Sequence, residues 1–83
     1  MNRERGRRRL MLRLPDLRHV LAGVPTEALG DMFESYALAA DALDRFRSEL
    51  PLKESLIAEY SELCHEIEQE VILYCSGGLR SQG

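Results

Sequence analysis

From Thr26 to Leu50 the apolar residues return with a seven-residue beat. Leu29, Tyr36, Leu43 and Leu50 hold one position of the repeat, and Met32, Ala39 and Phe46 hold the complementary one. Such an a/d seam, widened by Phe33 and Ala40, predicts a long amphipathic helix. Glu27, Asp31, Glu34, Asp41 and Asp44 fall largely outside the seam, so the opposite face is acidic. At 1.5 Å per residue a helix of about 25 residues spans about 37 Å, a stripe too long for one short helix to cover.

The chain supplies a partner of similar length. Between Leu52 or Ser55 and Cys75, the residues Ile57, Cys64 and Val71 take one heptad position, and Tyr60, Ile67 and Tyr74 take the other. Leu56 and Leu63 widen this second seam, while Glu59, Glu62, Glu66, Glu68 and Glu70 are assigned to its outer face. Pro51 ends the first long helix after Leu50, and the short link from Pro51 to Glu54 predicts an antiparallel neighbour. Ser76-Gly77-Gly78 stops the second. Ile72 and Leu73 add apolar surface near its end, a surplus that points to contact between chains or to cover by a short preceding helix.

That short helix is expected from Pro15 to Ala22. Leu14, Leu17, Val20 and Leu21 form a one-sided stripe, Pro15 suits the first helical position, Asp16 suits the first turn, and Gly23 is the stop. Leu10 to Leu14 reads as an extended lead-in, because a residue before proline is biased away from helix. Val24-Pro25-Thr26 forms a hinge, with Thr26 as cap and Val24 as a staple onto the next turns. Gly30, costing about 1 kcal/mol against alanine inside a helix, marks a close approach. The fold expected is all-α: a short N-terminal helix, then an antiparallel two-helix hairpin, dimerising into a helical bundle. Eighty-three residues sit near the lower limit for a self-sufficient core, and small helical chains often make up the deficit by oligomerising.

Charge divides the chain. Residues 1–18 hold seven arginines against Glu4 and Asp16, a net +5, which leaves −8 on the remainder. Residues 1–9, with Gly6 set among arginines, read as a disordered basic arm, 10–76 as one helical domain, and 77–83 as a flexible tail. Arg3, Arg5, Arg7, Arg8 and Arg9 are the candidates for contact with phosphates or with an acidic partner. No aromatic residue alternates with them, which argues against stacking on single-stranded bases.

Catalytic patterns are missing: there is no glycine-rich phosphate loop, no Ser/His/Asp arrangement and no Cys-x-x-Cys. The chain reads as a non-enzyme without cofactor. Cys64 and Cys75, eleven residues apart on one helix, lie about 16 Å apart and are beyond disulfide reach. Glu62 and His65 match the Glu-x-x-His spacing of bundle metal sites but lack a second such pair, so they read as solvated surface, and His19 reads as a rim residue. No apolar run is long enough to cross a membrane or to form a signal peptide, and a cytoplasmic location is expected. Pro15–Ala22 followed by the long helix mimics a helix-turn-helix, but Glu27, Asp31 and Glu34 in its first turns would repel phosphates.

The run Leu14-x-x-Leu17-x-x-Val20-x-x-Gly23-Val24-Pro25-x-x-x-Leu29 resembles the opening segment of the TraM-type antiactivators of agrobacteria and rhizobia. The likeness continues in a long amphipathic helix ending at Leu50-Pro51 and a second long helix, with the first long helix about one turn shorter here and the link to the second much shorter. It implies a small, helical, dimeric inhibitor of quorum sensing that binds the DNA-binding domain of a LuxR-type activator of conjugative transfer. Under that reading Glu27, Asp31, Glu34, Glu59, Glu62 and Glu66 face the activator's basic surface. The alternatives are a small nucleic-acid-associated protein using the arginine arm, and a structural helix-bundle module.

Overall fold

The computed structural model describes residues 2–76, and the expected tail at 77–83 lies outside them. All regular elements among the described residues are helical. Helix α1 spans Asn2–Arg13, a 3-10 turn follows at Pro15–Leu17, and α2 covers Arg18–Gly23. The long helices are α3, Thr26–Ser48, and α4, Glu54–Cys75. No helix among the described residues is long and apolar enough to cross a membrane.

The largest difference from the sequence reading is α1. The arginine-rich segment is not an unstructured arm but three turns of helix, which continue through the expected extended lead-in and break only at Leu14 (φ −122°, ψ 69°) before Pro15. Arginine is a good helix former, yet twelve residues are too few for a stable isolated helix. Docking on α3 supplies what is missing, and it rests on four residues. Leu10 is fully buried in the core. Arg7, also buried, reaches the open end of α2 and donates from Nη1 to the carbonyl oxygens of Leu21 (2.6 Å), Val24 (2.8 Å) and, more weakly, Ala22 (3.4 Å). Carbonyls at a helix end lack the full set of intrahelical partners, the Leu21 oxygen accepting otherwise only a long bond from Val24 N–H (3.3 Å), and a cation there also complements the helix dipole. The same guanidinium lies 5.0 Å from the centre of the Phe33 ring. Gly6 lets the backbones touch: a methyl carbon built on it would fall 1.7 Å from the Phe33 carbonyl oxygen.

The core gathers Leu10, Leu21, Val24, Leu29, Phe33, Tyr36, Ala39, Ala40 and Leu43 with Cys64, Ile67 and Val71. Met32, Ile57, Tyr60 and Tyr74 of the expected seams pack against it half-buried. Phe46 meets Tyr60 at 5.6 Å between ring centres, while Tyr36 meets Glu68, so contacts run in opposite order along α3 and α4. Leu50 departs from its assigned place: α3 ends at Ser48 ahead of Pro51, and Leu50 is 85% exposed in the link. Leu63, on the edge of its seam, is 39% exposed, and Leu56 is half-buried. The first turn of α3 is bent at Leu29 (φ −126°, ψ 19°), beside Gly30, against which the Arg3 guanidinium packs. Pro25 precedes the first helical residue, Thr26, whose expected capping side chain lies outside what is described.

Candidate partner-binding surface

The helical pairing of α1 with α3 decides which charges remain available. Arg3 lies 3.6 Å from Asp31 and 3.8 Å from Glu34. Arg5 is hydrogen-bonded to Asp41, and Arg9 lies 3.6 Å from Asp41 and 2.9 Å from Asp44. Each exposed pair is worth about 0–1 kcal/mol, so their sum trims α1 into place without dominating its docking. Of the five arginines assigned to phosphate or partner contact, Arg3, Arg5 and Arg9 are therefore engaged on α3 and Arg7 points inward. Arg8 is exposed. On the acidic side, Asp31 and Glu34 face α1, whereas Glu27 is exposed at the start of α3.

Helix α4 keeps its acidic face clear. Glu59, Glu62 and Glu66, at spacings of three and four, share one side of the helix, and all three are exposed, their side chains without ion pair or hydrogen bond among the described residues. Together with Tyr60 and the exposed edge of Leu63 they line a shallow depression of about 420 Å³. Apolar contact surface thus sits beside a stripe of unneutralised charge.

A larger groove, about 960 Å³, runs between the end of α1, the middle of α3 and α4. Charges of both signs line it, Arg9, Arg13 and Arg47 with Asp44, Glu62 and Glu68. Glu68 lies at its floor. Assigned to the outer face from sequence, it is buried, accepting hydrogen bonds on Oε2 from the Tyr36 hydroxyl (2.6 Å) and Arg13 Nε (3.2 Å). A buried carboxylate requires such partners, and Arg13 supplies the counter-charge. Burial, then the hydrogen bond to Glu68 and that residue's charge, push the Tyr36 hydroxyl well above its ordinary range. Burial also raises the Cys64 and Cys75 thiols, which are free. Thiols pushed in that direction are poor nucleophiles at neutral pH.

His65, 67% exposed, approaches Glu68 Oε1 at 4.0 Å. Among the described residues no three His, Cys, Asp or Glu side chains are grouped so as to hold a metal ion. His19 is exposed on α2.

Two residues assigned to the surface from sequence are buried instead, Arg7 and Glu68. For Glu68 the signal was present: it follows Cys64 by four and precedes Val71 by three, which places it on the buried stripe. For Arg7 there was none, because its acceptors are backbone carbonyls fourteen or more residues away. No family model matches the chain, and neither the curated proteins nor the solved structures hold a significant match.

Proposed function

We propose that this chain is a non-enzymatic antiactivator: it binds the basic DNA-binding domain of a LuxR-type, TraR-like quorum-sensing activator and keeps it from DNA, repressing conjugative-transfer genes. The observation that carries this reading is the contrast between the two acidic faces. On α3, Asp41 and Asp44 are paired with Arg5 and Arg9 of α1, and Asp31 and Glu34 lie at the edge of ion-pair distance from Arg3, while Glu59, Glu62 and Glu66 of α4 have no ion-pair partner among the described residues and sit beside Leu63. A domain that must neutralise phosphates carries the opposite field. Complementary fields speed the encounter and make it salt-sensitive, and apolar anchors such as Leu63 slow dissociation. In the same reading α3 and α4 form an antiparallel hairpin, and the chain works as a dimer. The alternative use of the arginines on nucleic acid draws less support, since Arg3, Arg5 and Arg9 meet carboxylates of the same chain.

The test is association rate against ionic strength, for the parent chain and for the triple variant Glu59→Lys, Glu62→Lys, Glu66→Lys, with a LuxR-type activator from the same host. Steering of this kind changes on-rates by about 10- to 1,000-fold at low salt, so the triple variant should associate at least about tenfold more slowly, with its salt slope flattened or reversed. Circular dichroism checks that the helices survive. Equal rates and equal slopes would show the α4 stripe to be solvated surface with no part in recognition.

A further inference from the structure

The larger groove exists because α1 stops short. Its residues follow α3 from Phe33, which Gly6 touches, to Asp44, which Arg9 binds, and the helix ends at Arg13. The chain then doubles back, bringing the end of α2 to Arg7, and the angle between α3 and α4 beyond Arg13 is left open. At about 960 Å³ the space is within the range that small molecules occupy.

What the groove can hold follows from which of its polar groups are already used. Two of its carboxylates are. Asp44 accepts from Arg9 at 2.9 Å, and Glu68 accepts from Tyr36 and Arg13 on one oxygen, with His65 4.0 Å from the other. Donors are left over. Arg13 uses Nε on Glu68, and neither of its Nη nitrogens has a partner among the described residues. Arg47 is exposed and has no hydrogen bond or ion pair among them, so its fork of five N–H groups is open. Burial and then the Glu68 charge push the Cys64 thiol up, while Arg9, Arg47 and Arg13 each pull it down, so all three guanidiniums are felt at one residue of the groove. Beside these donors the lining is apolar. Ala40 and Leu43 are buried, Ala58 is exposed, and Leu12 stands 81% exposed on the α1 side.

We infer that this groove binds a small monocarboxylate with an apolar body, its head on the open guanidinium edges of Arg47 and Arg13 and its body between Leu12 and the Ala40–Leu43 surface. A guanidinium fork matches a carboxylate in two parallel hydrogen bonds. A cationic ligand would meet three arginines, and two of the three lining carboxylates are already bonded. A polyanion fits no better, because Asp44, Glu62 and Glu68 also line the groove and repel added negative charge. A single negative charge with an apolar tail is the chemistry that remains. The site uses neither Glu59 nor Glu66, so it stands apart from the antiactivator reading.

Isothermal titration calorimetry of the full chain with decanoate tests this with no regulator present. Saturable one-to-one binding is expected, and octanoate should bind several-fold more weakly as apolar contact is lost. Arg47→Gln should weaken decanoate at least about tenfold, the loss expected from removing a charge-assisted hydrogen bond. Leu12→Ser should weaken it as well, and decylamine should not bind. Arg45→Gln removes the same charge two residues away, outside the groove, and should change nothing. Arg47, Leu12 and Arg45 are all exposed, so circular dichroism should show each variant folded. No saturable binding of decanoate by the parent chain overturns the inference. So does binding that survives Arg47→Gln, that falls equally with Arg45→Gln, or that decylamine matches.

Discussion

Replacing Gly6 by alanine asks whether α1 is a docked helix, because the two possibilities predict opposite signs. In a solvated helix, glycine is less favourable than alanine by about 0.8–1.0 kcal/mol, so Gly6→Ala would raise stability by about that much. In the structure the added methyl would lie 1.7 Å from the Phe33 carbonyl oxygen and 2.5 Å from its carbon, both backbone atoms of α3. Side-chain rotation cannot relieve that clash, so α1 must lift by well over an ångström along a face that includes Phe33 and Gly30. Overpacking of this kind costs about 1–3 kcal/mol. Lifting α1 also lengthens the hydrogen bonds from Arg7 and opens a gap beside Leu10, so the upper part of that range applies after the propensity gain is subtracted. A net loss of about 2 kcal/mol should lower the melting temperature by about 8–16 °C in a domain of this size. Thermal unfolding followed by circular dichroism measures it, and Gly23→Ala, where a methyl meets nothing within 4 Å, is the control and should change little. An unchanged or raised melting temperature for Gly6→Ala would refute the docking of α1.

Arg7→Met keeps the stem but removes the donors at the end of α2; with hydrogen bonds from a charged group worth about 1.5–3 kcal/mol each, a loss of about 2–4 kcal/mol in urea unfolding is expected, and a loss under 0.5 kcal/mol would remove Arg7 from the core. The Tyr36 hydroxyl makes an alkaline prediction. Its folded value is raised above the ordinary 10.0, so the folded state retains a proton that the unfolded chain releases. Its contribution is complete below pH 10 and is lost as pH rises beyond it toward the folded value, and Cys64, also raised, begins the same decline from about its ordinary 9.0. Tyr36→Phe should therefore be less stable than the parent at pH 8 and lose less stability between pH 10 and 12; parallel curves across that interval would contradict the raised value.

Most of the fold was legible because α3 and α4 write their packing into local periodicity. Leu29, Phe33, Tyr36 and Leu43 on one helix and Ile67 and Val71 on the other are buried where a 3.5-residue repeat puts them. Pro15, Gly23 and Pro51 punctuate the chain close to the observed boundaries. The illegible part is α1. A run such as Arg7-Arg8-Arg9 has no apolar rhythm, and the contacts that seat it, Gly6 on the Phe33 backbone, Arg7 on carbonyls of the α2 end and the lesser ion pairs to Asp31, Asp41 and Asp44, are all remote in sequence. The candidate site was legible in the same proportion. Glu59, Glu62 and Glu66 could be placed on an outer face from spacing alone. That Asp31 and Glu34 would lie within ion-pair distance of Arg3, and that Glu68 would turn inward to Tyr36, depended on neighbours that periodicity does not name.

The unpaired stripe on α4 has a thermodynamic cost that bears on what would stabilise the molecule. Glu62 and Glu66 are four apart, as are Glu66 and Glu70, and like charges at that spacing each disfavour the helix by about 0.2–0.5 kcal/mol. The helix thus holds its shape against its own surface, kept in place by Cys64, Ile67 and Val71 on the other side. By linkage, a polycation that settles on the folded stripe more strongly than on the unfolded chain relieves that repulsion and draws the folding equilibrium toward the native state. Recognition and stability then become two readings of one equilibrium, and the melting temperature itself becomes a titratable report of how much cation is bound.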